Sequence, residues 1–224
     1  ESIKGVFFID TKKNLFYEKE LPLKELNEIP SPYLNGSLDE FITGDVNGFK
    51  LFPMFEGVRG CPFTCSYCVE TVIQGYYGFT ETVNNGVLRD AKKYLRNKSA
   101  ERIFEEMEGL HKEFGVRLFR CQDTNFLSIN RKVLHALADK IDDSELDIML
   151  YIETRPETIN SSSVELLKRL RVDGVGMGIE LASEDFRKSS LNRYPSQEKI
   201  ENAFRLLREV GIRRTAYNII GLPD

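Results

Sequence analysis

Five short runs of β-forming residues, each followed by a loop and an amphipathic segment, constrain this chain more than anything else in it. The runs are 51–55, 116–120, 148–152, 174–179 and 214–220. Between them, apolar residues recur at helical spacing. Ile103, Met107, Leu110 and Phe114 form one stripe behind Ser99, a residue suited to cap a helix. Ser162 and Glu165 read as a capping box ahead of Val164, Leu166, Leu167 and Leu170. Ile200, Ala203, Phe204, Leu207 and Val210 form another stripe that stops at Gly211, where a left-handed residue would end the helix. Strands alternating with amphipathic helices predict an α/β fold of βα units around a parallel sheet. Right-handed crossovers then gather the strand C-termini on one edge, where such sheets carry their chemistry.

The polar residues expected at that edge are distinctive. Cys61, Cys65 and Cys68 follow the first run, Asp123-Thr124-Asn125 the second and Glu153-Thr154-Arg155 the third. Glu180 follows the fourth run and Asp224 the fifth. Thiolates are soft ligands that suit zinc or an iron–sulfur cluster. A closed zinc site needs a fourth ligand, which here would have to be Cys121 or His111. An electron-transfer cluster also takes four thiolates, whereas three in one loop leave a metal position open for chemistry. Cys121 alone reads as a small buried hydrophobe, and His111 and His135 as structural residues on helices.

The bulk numbers narrow the class. A chain of 224 residues holds one sizeable core, or one domain with a piece of another. At 41% hydrophobic and 29% charged it has the balance of an ordinary globular protein. No apolar run approaches the roughly 20 residues that cross a bilayer, and no signal peptide opens it. A net charge of −4 without a lysine–arginine block gives no support for a nucleic-acid partner. Cysteines bunched in one loop fit a reduced, cytoplasmic chain better than a disulfide framework.

The first residues differ from the rest. Segments 5–10 and 14–17 flank a polar turn at 11–13 and read as a hairpin. A linker-like stretch with Pro22, Pro30 and Pro32 follows. The expected division is a tail and linker at 1–36 and a core at 37–224. Because the chain starts at Glu1 and ends at Asp224, just past a strand-like run, it is expected to be a piece of a longer protein.

The run Arg59-Gly60-Cys61 through Cys68, with Tyr67 ahead of the third cysteine, resembles the signature of the radical S-adenosylmethionine superfamily. The resemblance implies a partial (β/α)6 TIM-like barrel of parallel strands, truncated after the fifth, its sixth strand following Asp224. It implies a [4Fe–4S] cluster on Cys61, Cys65 and Cys68 whose open iron takes the amino and carboxylate groups of S-adenosylmethionine. An electron, from a donor such as flavodoxin or ferredoxin, then breaks the sulfur–C5′ bond to give methionine and a 5′-deoxyadenosyl radical. Asp123 and Thr124 match the segment that holds the amino group in relatives; the plainer reading is a turn built by Asp123 and Asn125. Glu180, at the end of Gly176-Met177-Gly178-Ile179, matches the ribose ligand, its glycines letting the cofactor approach; the plainer reading is a helix cap. Ile219 and Gly221 match the adenine-packing strand, where Tyr217 replaces the motif's first glycine and Asp224 its final glutamate. Arg155 and Arg193 are the cations placed to meet the cofactor's carboxylate, the plainer reading being solvated surface arginines.

The stretch from Pro22 to Gly36 is similar to the linker behind the cobalamin-binding domain of cobalamin-dependent members. That branch implies cobalamin bound outside this chain and methyl transfer, or a related radical reaction, on a small-molecule substrate. Two other classes stand beside it. A methylthiotransferase acting on tRNA or protein would need three further cluster cysteines, and a non-enzymatic zinc or iron–sulfur module would not respond to S-adenosylmethionine.

Overall fold

The structure is a computed structural model that describes residues 7–9, 12, 15–17, 25–31, 38–44 and 48–222. Its frame is one mixed sheet. Five strands, β1 (Lys50–Phe55), β2 (Val116–Cys121), β3 (Met149–Thr154), β4 (Val172–Glu180) and β5 (Arg213–Asn218), lie side by side in chain order. All their pairings are parallel. The two-residue strand Thr43–Gly44 adds antiparallel to the outer edge of β1. This is the curled parallel half-barrel expected from the sequence. The strands end slightly elsewhere: β3 runs two residues further, to Thr154, and β5 stops at Asn218, so Ile219 and Ile220 lie beyond it.

The helices cover one face because their apolar stripes need cover. Helix α1 (Val69–Tyr76) follows the cysteine loop, α2 (Ala100–Phe114) precedes β2 and α3 (Arg131–Asp142) precedes β3. Helices α4 (Ser161–Arg169) and α5 (Gln197–Glu209) precede β4 and β5. In α2 the stripe Ile103, Met107 and Leu110 is buried, Ser99 caps the start and Gly115 ends it at φ 71°. The expected box at Ser162 and Glu165 is corrected: Asn160 caps α4, and its reciprocal partner is Ser163. Both pairs fit the S/T/N-x-x-polar pattern, and the chain enters the helix two residues earlier than the Ser162 pattern predicts.

Strand β3 alternates cleanly. Leu150, Ile152 and Thr154 are buried, while Met149, Tyr151 and Glu153 face the other side, the inside of the half-barrel. The core lies between the sheet and its helices, with Phe52, Phe119, Leu137, Leu150, Leu167 and Val175 almost wholly removed from water.

Phe7–Ile9 and Leu15–Tyr17 pair antiparallel, as the hairpin reading expects; most of its turn, and Pro22 and Pro32 of the linker, lie outside the described residues. Residues 25–31 are seated on the core. Leu26 is buried, Ser99 N donates to Asn27 Oδ1 (2.8 Å) and Arg102 Nη2 donates to the Ile29 carbonyl (2.9 Å). Beneath them Glu106, fully buried, accepts from Lys98 Nζ (2.7 Å) and Arg102 Nε (2.6 Å). Two cations on one carboxylate leave no unpaired buried charge there. No helix among the described residues is long and apolar enough to cross a membrane.

Candidate functional site

The three cysteines sit in the loop between β1 and α1, and nearly every polar group of that loop is tied down. Gln74 Nε2 donates to the carbonyls of Cys61 (2.8 Å) and Phe63 (3.0 Å), and Thr71 Oγ1 to that of Cys65 (2.8 Å). Cys61 N donates to Glu70 Oε1, which also accepts from the buried Tyr94 hydroxyl. A second brace comes from further along the chain. Asn192 Nδ2 donates to the Thr64 carbonyl (2.7 Å), and Ser66 Oγ to that of Ser190 (2.6 Å). Gly60 enters the loop at φ 92°, and a Cβ there would stand 3.0 Å from the Tyr94 ring, so geometry and space both require glycine.

The thiols share one cleft with Tyr67, Thr124, Arg155, Glu180 and Arg193. Cys61 and Cys65 are buried and Cys68 is half-buried, at the N-cap of α1. Burial pushes the Cys61 thiol up to about 12 and raises Cys68 as well. A bare loop therefore holds these as thiols, and metal loading has to release their protons. Among the described residues no three histidine, cysteine, aspartate or glutamate side chains converge on one metal ion. The three thiols of the loop offer a donor set of sulfur alone, which suits an iron–sulfur cluster. The zinc reading loses its fourth ligand. Cys121 is wholly buried within the core, and His111 Nδ1 is engaged with the Val116 carbonyl at 2.8 Å.

Opposite the loop stands a charged network. Strand β4 ends with Glu180 in the left-handed region (φ 65°), which turns its carboxylate back over Gly178. Tyr67 donates to Glu180 Oε1 at 2.7 Å, and Arg193 Nη1 pairs with the same oxygen at 3.1 Å. Arg193 Nη2 donates to the Gly178 carbonyl (2.6 Å), while its buried Nε has no hydrogen-bond partner among the described residues. The helix-cap reading of Glu180 is excluded locally, since Ser183 caps the next helix, Glu184–Ser189. Arg187, fully buried in that helix, donates to the carbonyls of Leu181, Ala182 and Pro195 and so shapes the loop that carries Arg193. Neither Arg155 nor Arg193 is a solvated surface arginine: they are 6% and 3% exposed.

Some expected site residues are elsewhere. Asp123 is 2% exposed and does not line the cleft. Its Oδ1 accepts from Gly57 N and Val58 N, both at 2.7 Å, anchoring the start of the cysteine loop from the end of the neighbouring strand. Burial raises its carboxyl to about 6, the two amide donors offsetting only part of the desolvation. Ile219 and Gly221 do not line the cleft either; Ile219 N donates to the Glu180 carbonyl (2.9 Å). The glycines of β4 make room for this protein's own side chains. A Cβ on Gly176 would meet the Tyr217 ring at 2.6–2.8 Å, and one on Gly178 would meet the Glu180 carboxylate.

Glu153 and Thr154, expected at this strand edge, line the cleft, and Tyr217, which was not anticipated there, lines it too. Tyr217 lies within 3.0 Å of the Tyr151 hydroxyl and donates to Glu153 Oε1 at 3.3 Å. Its signal in the sequence was the bulky residue standing where the motif has glycine.

The comparisons with known proteins agree with this geometry. The profile of the Radical SAM superfamily matches residues 55–224. The chain is 26% identical over 226 residues to an uncharacterised methyltransferase of Pyrococcus horikoshii, covering 99% of this chain and 44% of that protein. It is 32% identical over 124 residues to the cobalamin-dependent radical SAM methyltransferase TokK of Streptomyces tokunonensis, covering 54% of this chain and 15% of that protein. The solved structure of OxsB, a cobalamin-dependent S-adenosylmethionine radical enzyme, has the same fold. It superimposes with a TM-score of 0.70 at 18% identity, over 97% of this chain and 30% of OxsB. The chain therefore spans less than half the length of these relatives. With three thiols on one loop, at the C-terminal edge of a parallel half-barrel, and a family profile matched from the first strand's end onward, the chain belongs to the radical SAM superfamily.

Proposed function

We propose that this chain is the core of an enzyme that reductively cleaves S-adenosylmethionine at a [4Fe–4S] cluster on Cys61, Cys65 and Cys68. The observation that carries it is the facing of those thiols, in one cleft, by the Tyr67–Glu180–Arg193 network. When bound, the cluster supplies the electron that breaks the sulfur–C5′ bond. The protein's share is placement and exclusion of water. Glu180 takes the ribose hydroxyls, for which a carboxylate aimed into the cleft is a ready acceptor. Thr124 offers a hydroxyl beside the thiols, and Arg193, which lines the same cleft, offers a cation to the cofactor's carboxylate. Ile219 and Gly221 remain the adenine contacts by motif alone. They would have to close on the ligand, since the cleft as it stands does not include them.

The full protein we propose to be a cobalamin-dependent methyltransferase of a small molecule, working in the cytoplasm with a flavodoxin or ferredoxin as electron donor. The methyltransferase names of its relatives support this. In this reading residues 1–36 end a cobalamin-binding domain and lead into the radical core at 37–224.

The test uses the anaerobically reconstituted full-length protein. About four irons per chain are expected. S-adenosylmethionine should alter the electron paramagnetic resonance of the reduced cluster, and reductant should release 5′-deoxyadenosine and methionine. A signal indifferent to S-adenosylmethionine, with no 5′-deoxyadenosine, would sink the proposal. About twice the iron would point instead to a methylthiotransferase.

A further inference from the structure

We infer that Arg155 is a positioning residue for the cluster: its guanidinium donates a charge-assisted hydrogen bond to the Cys65 sulfur and makes the cluster easier to reduce. The inference rests on the cluster reading above and deepens it. Arg155 stands just past β3 and is almost wholly buried. Its backbone is held by Thr158, whose N and Oγ1 donate to the Arg155 carbonyl at 3.0 and 2.6 Å.

The side chain is fixed on three sides. Nε donates to Glu157 Oε1 at 2.6 Å, and Nη2 forms an ion pair with the same oxygen. The flat face stacks on Phe63, with Cζ 3.8 Å from the ring centroid. Phe63 lies inside the cysteine loop, and its own carbonyl is held by Gln74. One edge and one face being occupied, the remaining Nη1 points at Cys65 Sγ, 3.0 Å away.

A planar fork loses little freedom in making its last hydrogen bond once the others are set. Burial strengthens that bond, because no water competes for the sulfur. Donors to cluster sulfurs draw off negative charge and favour the reduced state, whose charge is one unit more negative. Arg193 differs: its Nη1 pairs with Glu180 and its Nη2 donates to the Gly178 carbonyl. The two arginines that look equivalent in the sequence are thereby divided, one to the cluster and one to the cofactor.

The experiment is a redox titration of the reconstituted full-length protein, followed by electron paramagnetic resonance without S-adenosylmethionine. Arg155→Met should shift the reduction equilibrium about tenfold toward the oxidised form, about 59 mV lower for a one-electron couple. Arg155→Lys keeps the charge but not the fork, and should shift the potential in the same direction by less. It also decides the matter if the methionine variant takes up no iron. An unchanged potential in the iron-loaded variant overturns the inference; joined to a loss of S-adenosylmethionine affinity, it returns Arg155 to the cofactor's carboxylate. Failure of the parent reading looks different, because the unmutated protein itself would then hold no cluster.

Discussion

The two sides of the cleft are built differently. On the cysteine side, Gln74, Thr71, Glu70, Asn192 and Ser66 all tie the loop to its surroundings, and β4 behind Glu180 is largely buried. On the β5 side, Arg213, Arg214, Thr215, Ala216 and Asn218 are exposed, and Ile220 beyond them is 96% exposed. Among the described residues, β5 has a strand neighbour on one edge only. The cluster side is organised before any ligand arrives, which a cluster with fixed geometry needs. Among the described residues the β5 side has an unpaired backbone edge and the exposed Ile220.

The largest expected effect tests the organised side. Alanine at Cys61, Cys65 or Cys68 should abolish iron uptake, measured as iron per chain after anaerobic reconstitution. Cys121→Ala should load normally, because its thiol lies in the core between sheet and helices. Iron lost equally in all four variants would break the comparison.

Glu180→Gln comes next. It removes the charge facing Arg193 but leaves an amide oxygen that still accepts one hydrogen bond. About 3 kcal/mol of stability should go, at the low end of what breaking a buried pair costs. S-adenosylmethionine affinity should fall about tenfold or more, with iron content unchanged. Denaturant unfolding and equilibrium binding on one preparation check both; unchanged affinity would remove Glu180 from the site.

A third effect depends on pH. The buried carboxyl of Asp123 titrates near 6 in the folded chain against an ordinary value of 3.8, so the folded state holds the proton more tightly. Its contribution therefore weakens stability as pH rises from about 4 through 6 and then levels off, by about 3 kcal/mol in total. Asp123→Asn keeps an oxygen for Gly57 N and Val58 N but does not titrate. The stability of the natural chain relative to this variant should fall between pH 4 and pH 7, and parallel unfolding curves across that range would count against the assignment.

The smallest effect belongs to the β5 side. Tyr217→Phe removes a phenol from hydrogen bonds with Tyr151 and Glu153 and leaves the ring over Gly176. About 1 kcal/mol is expected, the net worth of a typical hydrogen bond. A loss as large as that of Glu180→Gln would show the two walls to be equally organised.

The five parallel strands, the helices over them and the three-thiol loop were all legible in the sequence. Apolar periodicity and ligand spacing are local patterns, written within a few residues, and the fold has little freedom to override them. Ser99 as a cap was legible for the same reason, and Glu180 was placed at its strand end by motif. What only the tertiary structure decided is where the polar side chains turn. Asp123 meets amides 66 and 65 residues away, so nothing adjacent to it in the chain says that it anchors a loop and leaves the cleft to Thr124. Arg155 and Arg193 carry the same fork, and their division depends on Glu157 and Phe63 for one, Glu180 and Tyr67 for the other. The glycines of β4 are read in the sequence as space for a cofactor; the fold shows which side chains, Tyr217 and Glu180, already use that space. A buried polar group is satisfied by whatever the sheet brings within hydrogen-bonding distance, and that is a property of the register between strands, which no single strand encodes.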